Sequence, residues 1–269
     1  MNKGDNMNNF IGIFDSGIGG LSVLESIREL LPHENIFYLA DEKNCPYGTK
    51  SLEEVRKITL DNINYLKSKG AKIIVVACNT ATSSIIDIVS KDDNSIIGVI
   101  EPTANAALKL TKNKKIGLFA TNLTVKTKIY EQFLSGVMVK SEGCSDFVTS
   151  VEAGDFDSNE LKKSIIKHFE KISGVDTLIL GCTHFKFIKN TIQSLYPNLT
   201  IVDSGIPTTE IVIATLNKQN IANESTEKGK VVFETSGSLE KSKEQISKLK
   251  FNFDEISTKN LKKVMSKCY

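Results

Sequence analysis

The sequence predicts an α/β protein of two pseudo-symmetric lobes related by internal duplication. Each lobe is expected to hold a parallel or mixed sheet flanked by helices, with the active site in the cleft between them. Three observations carry this. Apolar runs of strand length alternate with longer segments of helical period, the pattern of βαβ units. Matched segments recur at one spacing: Ile11-Gly12-Ile13-Phe14-Asp15-Ser16 is echoed by Ile116-Gly117-Leu118-Phe119-Ala120-Thr121, and Pro102-Thr103 by Pro207-Thr208, each 105 positions on. Two strand-like runs end in a cysteine followed by small polar residues, Val75-Val76-Ala77-Cys78-Asn79-Thr80 and Leu178-Ile179-Leu180-Gly181-Cys182-Thr183-His184, and their cysteines lie 104 positions apart.

The first predicted strand, 10–14, passes through Asp15-Ser16 and a glycine turn into a helix over 20–31. An apolar strand at 36–40 precedes the Cys45-Pro46-Tyr47-Gly48 turn and a helix over 51–69, in which Val55, Ile58, Ile63, Tyr65 and Leu66 form an apolar stripe. A strand at 72–77 delivers Cys78 to a helix over 81–90, and a strand at 96–100 and a helix at 103–111 follow. The pattern then repeats: strand 116–119, helix 124–134, strand 137–140, helix 159–172, strand 177–181 carrying Cys182, helix 185–196 and strand 199–202. A tail adds a helix at 208–217, a polar loop, a strand at 230–233 and a helix at 239–249. Too short for its own αβ domain, the tail is expected to return and complete the first lobe. The lobes are therefore predicted as 10–102 with 208–269, carrying Cys78, and 103–207, carrying Cys182. Met1 to Asn9 is polar and is expected to fray.

Composition narrows the function. Thirty-four basic and 32 acidic residues, mixed along the chain for a net charge of +2, make no basic face for nucleic acid. No apolar run is long enough to span a bilayer and the amino terminus lacks a signal-peptide pattern, so no membrane partner and a cytoplasmic location are expected. Arg28 and Arg56 are the only arginines, both on predicted helices away from the strand-end loops. An arginine clamp on a substrate carboxylate is therefore not expected, and hydroxyls, amides and helix amino ends must serve instead. Cys45, Cys78, Cys144, Cys182 and Cys268 form neither a disulfide framework nor a C-x-x-C pair. Cys144 and Cys268 read as small buried hydrophobes.

The glycines after Asp15-Ser16 resemble a dinucleotide fingerprint, but the G-x-G-x-x-G spacing fails after Gly19 and no acidic ribose partner follows. A tight strand-to-helix turn explains them as well. Cys78 and Cys182 each stand just before a helix, an environment expected to favour the thiolate. Two matched thiols facing one another would place an acid and a base on opposite faces of a small substrate, the requirement for inversion at carbon. His184, two residues from Cys182, is a candidate acid/base helper. A Cys–His hydrolase would use Cys182 and His184 but leaves Cys78 without a role. A redox pair lacks the helix-borne C-x-x-C, and a non-catalytic amino-acid-binding protein needs neither thiol.

The stretches IGIFDSGIGGLSVL (11–24), YLADEKNCPYGTKS (38–51), IVVACNTAT (74–82), GVIEP (98–102), LILGCTHF (178–185) and IVDSG (201–205) span almost the whole chain in order. Through them the chain closely resembles the glutamate racemase family of cofactor-independent enzymes. The resemblance implies that Cys78 and Cys182 transfer the protons, Cys78 acting on D-glutamate and Cys182 on L-glutamate. It implies that Asp15-Ser16, Tyr47-Gly48, Asn79-Thr80, Thr121 and Thr183-His184 contact the substrate. Asp15, Glu152 and His184 are implied as supporting acid/base residues. It further implies no cofactor or metal, glutamate as small-molecule substrate, D-glutamate supplied to peptidoglycan, and a homodimer. Aspartate racemase, with the same two-cysteine plan, is the nearest alternative. Gly143-Cys144-Ser145 departs from the alanine, cysteine and proline common in the family, as does Thr103 from glycine.

Overall fold

The computed structural model describes residues 9–89 and 95–259. Of the stretch Met1 to Asn9 expected to fray, residues 1–8 fall outside the described residues, as do the last residue of the predicted helix 81–90 and Cys268, while the Asn9 amide donates to the Gly70 carbonyl at 3.2 Å. The chain runs β1 (Phe10–Asp15), α1 (Leu21–Leu30), β2 (Ile36–Ala40), α2 (Leu52–Lys69), β3 (Ala71–Val76), α3 (Asn79–Ser84), α4 (Ile86–Val89), β4 (Ile96–Gly98) and α5 (Ile100–Leu110). It continues through β5 (Lys115–Ala120), α6 (Asn122–Thr127), α7 (Ile129–Phe133), β6 (Met138–Gly143), α8 (Ser145–Ala153), α9 (Asn159–Lys171), β7 (Thr177–Gly181), α10 (Lys189–Leu195) and β8 (Thr200–Val202). The last elements are α11 (Gly205–Gln219), β9 (Val231–Thr235), α12 (Leu239–Lys248) and β10 (Glu255–Thr258).

The strands make two sheets, one ordered β10-β9-β2-β1-β3-β4 and the other β6-β5-β7-β8, and every pairing is parallel. Among the described residues neither sheet is mixed. The order second-first-third-fourth occurs in both, so β1 to β4 and β5 to β8 repeat one topology at the spacing read from the sequence. The repeated Pro-Thr pairs obey it too: Pro102 and Pro207 each stand third in the helix after the fourth strand. Proline is tolerated there because a first-turn amide has no helical carbonyl to bond.

Both faces of each sheet are covered, which is why the strands read as continuous apolar runs. Along β1, Ile11 and Ile13 face a core with Leu24 and Ile27 of α1, Val212 and Leu216 of α11, and Ile246 of α12. Phe10 and Phe14 face the opposite side, with Val55, Ile63 and Leu66 of α2. In β7, Leu178 and Leu180 pack under α8, α9 and α10, while Ile179 joins Ala104, Ala107 and Tyr130. Two-residue alternation thus sorts side chains between layers. The α2 amphipath is bounded by a capping box, Ser51 with Glu54, and by Gly70 at φ 96°.

At the amino ends of β2 and β3 a buried ion pair joins the tail to the first sheet. Lys72 Nζ lies 2.7 Å from Glu34 Oε2, with side chains 6% and 3% exposed. Lys72 Nζ also donates to the Ile221 carbonyl at 2.7 Å, and Glu34 Oε1 accepts from the Asn223 amide at 2.7 Å. The pair therefore ties down the passage from α11 to β9. Among the described residues, no helix is long and apolar enough to cross a membrane.

Several local expectations differ, and the predicted helix 81–90 is divided at Ile85 into α3 and α4. The predicted helix 124–134 breaks into α6 and α7 at Lys128, whose φ of 53° is left-handed. The predicted helix 185–196 begins as a 3-10 turn, Thr183–Ile188, before α10. Helix α8 and strand β10 went unread: α8 mixes β-branched and polar residues, and β10 is a half-exposed edge strand with Ile256 as its one apolar residue.

Candidate active site

The carboxyl ends of strands from both sheets converge on one cavity of about 340 Å³. Its walls include Ser16, Tyr47, Gly48, Cys78, Asn79, Thr80, Thr121, Cys182, Thr183 and His184. Ten of the twelve residues singled out in the sequence thus meet there. Asp15 and Glu152 do not line it; they stand behind its wall.

After β1 the chain turns through Ser16 to Gly20 into α1. A side-chain carbon on Gly19 would come within 2.4 Å of Thr183 Oγ1 and 2.5 Å of His184 Nδ1. One on Gly20 would meet Asp15 Cβ at 2.6 Å and the Tyr38 hydroxyl at 2.7 Å. These glycines exist so that the β1 turn can press against the Thr183-His184 turn, a close approach between backbone and side chain. Tyr38 seals the turn by donating to the Gly17 carbonyl at 2.7 Å.

Asp15 is fully buried. One oxygen accepts from the Gly17 amide at 3.2 Å, and the other from Thr183 Oγ1 at 3.3 Å. Burial raises its pKa from 3.8 to about 6, against the opposing pull of His184 and the Gly17, Gly20 and Thr183 donors. Below about pH 4 the carboxyl is protonated folded or unfolded; above about pH 6 it is ionised in both, and the full desolvation cost bears on the fold. The stability gap between wild type and D15N should therefore shift in favour of the variant by up to ~3 kcal/mol between pH 4 and pH 7. Urea unfolding at both pH values measures the gap; a constant gap refutes the assignment.

Cys78 caps α3 and is buried, its thiol 3.8 Å from Ser16 Oγ. The sequence suggested a thiol eased toward thiolate by the helix; the structure corrects this. Burial pushes the Cys78 thiol up, the Asp15 carboxylate adds to the push, and the Ala81 amide and Ser16 oppose it only in part. Cys182, at the end of β7, has His184 Nδ1 3.9 Å from its sulfur. His184 Nε2 reaches Glu152 Oε1 at 2.8 Å. Burial works against a charged imidazole, but the bonds to Cys182 and Glu152 and their charges prevail and raise His184 to about 10. Burial also opposes the Glu152 carboxylate, yet His184, Gln245 and Lys241 hold it below the usual range. Gln245 of α12 donates to Glu152 Oε2 at 2.6 Å, so an element of the tail reaches the back of the cavity.

Neutral donors make up most of the remaining wall. Thr80, Thr121 and Thr124 join their hydroxyls across the sheets at 2.9 to 3.2 Å. Asn79 Nδ2 is buried without a partner. The Tyr47 hydroxyl donates to Asp41 Oδ2 at 2.6 Å, so Tyr47 offers the cavity its ring rather than its hydroxyl. Among the described residues, no lysine or arginine lines the cavity. Arg28 bonds the Asn252 carbonyl, and Arg56 forms a two-point bond to Asp87, both elsewhere.

The sequence reading missed Thr49 and the α8 residues Ser145, Asp146, Val148 and Thr149, which also line the cavity. The signal for the α8 residues was positional: they follow β6, whose carboxyl end points to the site as the others do. Asp146 is tied to His168 Nε2 at 3.0 Å and to Ser164 at 2.6 Å. Cys45 is a third sulfur at the wall. Burial, then Glu152 and Asp15, push its thiol up to about 12, so at neutral pH it remains protonated.

Fold and cavity together define a class: a duplicated α/β protein that brings two thiols, one from each sheet, to a small pocket of hydroxyls and amides. Residues 11–212 match the Asp/Glu/Hydantoin racemase family, and the chain belongs to that family. It is 38% identical to the glutamate racemase of Listeria monocytogenes serotype 4a (strain HCC23), over 95% of this chain and 99% of the relative. A crystal structure of a glutamate racemase isoform from Bacillus anthracis superposes with a TM-score of 0.88 at 32% identity, covering 94% of this chain and 98% of that one. Glutamate racemase from Francisella tularensis in complex with D-glutamate gives a TM-score of 0.86 at 25% identity, covering 95% and 99%.

Proposed function

We propose that this chain is a cofactor-independent glutamate racemase that interconverts L- and D-glutamate with two thiols. The observation that carries the proposal is that Cys78 and Cys182, at matched strand ends of different sheets, line the same cavity. In the L-to-D direction Cys182, as thiolate, takes the α-proton, and Cys78, as thiol, delivers its own to the opposite face. The burial that keeps Cys78 protonated suits it to that donor role. D-glutamate is handled in reverse, Cys78 taking the proton and Cys182 returning one. Charge that develops on the α-carboxylate is met by neutral donors of the wall, among them Ser16, Asn79, Thr80 and Thr183, which need no reorganisation as the reaction proceeds. His184, backed by Glu152, holds a proton beside the Cys182 sulfur; Asp15 fixes the turn that carries Thr183.

The lobes 10–102 with 208–269 and 103–207 act in this reading as the units that part to admit substrate and close to exclude water. The D-glutamate made serves cell-wall peptidoglycan in the cytoplasm, and the chain works as a homodimer. Leu110, Ile206 and Ile211, exposed along one groove, offer an apolar face for that pairing.

Turnover in deuterated water tests the mechanism. Early in the reaction α-deuterium is expected in the newly formed enantiomer and not in the remaining substrate, from either side. Equal labelling of both enantiomers overturns the two-base assignment, and faster turnover of aspartate than of glutamate overturns the substrate assignment.

A further inference from the structure

Asn79 is 2% exposed, and the two ends of its amide are treated differently. Oδ1 accepts from the Tyr130 hydroxyl at 2.6 Å, whereas Nδ2 has no partner in the protein. An amide can turn over, exchanging donor for acceptor at the cavity wall; only its neighbours decide which end faces where. A carboxylate is attracted by one orientation and repelled by the other.

The neighbour that decides is Tyr130. It is fully buried on α7, in the core of the four-stranded sheet, whereas Asn79 follows a strand of the six-stranded sheet. Hydroxyls of Thr103 and Ser204 also face the Tyr130 oxygen. Thr103 donates its one proton to the Val99 carbonyl at 2.6 Å, so Ser204 is the hydroxyl that can donate to the Tyr130 oxygen and leave the tyrosine proton for Asn79.

We propose that Tyr130 is a positioning residue for substrate binding, whose hydroxyl locks Asn79 in the orientation that presents Nδ2 to a glutamate carboxylate. This rests on the reading of Asn79 as a carboxylate contact. It adds a residue that touches no substrate and that no motif marks. The bond also spans the two sheets, so the donor is set only when both are in register.

Three variants test the proposal through KM and kcat for both enantiomers. Y130F is expected to raise KM roughly tenfold, the cost of a misdirected hydrogen bond to a charged group, while kcat changes far less. N79L should raise KM at least as much, and N79L/Y130F no further than N79L alone, because Tyr130 acts through Asn79. T103V/S204A leaves the ring in place but frees Tyr130 to accept from Nδ2, so KM should rise here too; this variant carries the test where Y130F does not fold. A raised KM in N79L with wild-type KM in Y130F or in T103V/S204A overturns the role of Tyr130. A wild-type KM in N79L instead overturns the carboxylate reading beneath it.

Discussion

Replacing either Cys78 or Cys182 with alanine is expected to lower glutamate racemisation about a thousandfold or more, with glutamate still bound. In the proposed mechanism each thiol serves as base in one direction and as acid in the other, so neither can stand in for its partner. The two enantiomers have equal free energy in water. The fall in kcat/KM must therefore be the same from L- and from D-glutamate, whichever sulfur is lost. What distinguishes the variants is exchange without inversion. C78A keeps the base assigned to L-glutamate and should wash deuterium only into that enantiomer; C182A should label only D-glutamate. Isotope analysis of each recovered enantiomer reads this directly. Full activity in either variant removes that cysteine from the mechanism, and swapped labelling reverses the assignment of faces.

Lys72→Met should destabilise the fold by about 3–5 kcal/mol without acting on the site, the usual result of leaving one member of a buried ion pair alone. The Glu34 carboxylate would lose its cation while remaining buried, and the Ile221 carbonyl would lose its donor. Glu34 is at the ends of the strands away from the cavity, so KM of the folded variant should match wild type. Adding Glu34→Leu removes the stranded charge and should recover part of the loss, although the Asn223 amide then lacks its acceptor. Urea unfolding measures all three proteins. A single variant within 1 kcal/mol of wild type, on the scale of an exposed pair, would contradict the burial argument.

Much of this molecule could be read in advance because its physics is local or repeated. The strand β7 ends where Gly181 meets Cys182, and its apolar run and the matching run before Cys78 identified both sheets and both thiols. The tail's β9 and β10 join the larger sheet, in keeping with a predicted stretch of one strand and two helices that is too short to bury a core alone. What stayed hidden is non-local. Tyr130 is one tyrosine in a short helix, and only the packing of two sheets gives it Asn79 as a partner. The thiol of Cys78 was read from its helix, but desolvation, a property of the whole enclosure, outweighed the local donors. The α8 residues at the cavity announce themselves by neither motif nor periodicity.

Gln245 has a bearing on how this protein can be cut or tagged. It belongs to α12, beyond the segment matched by the family, yet its amide braces the carboxylate behind His184. Shortening the chain to its recognisable portion would spare every motif while removing that brace, along with two strands of the larger sheet. A carboxyl-terminal fusion that strains α12 would pull on the same brace from a distance. Helix α12, marked by no motif, thus braces the cavity from behind.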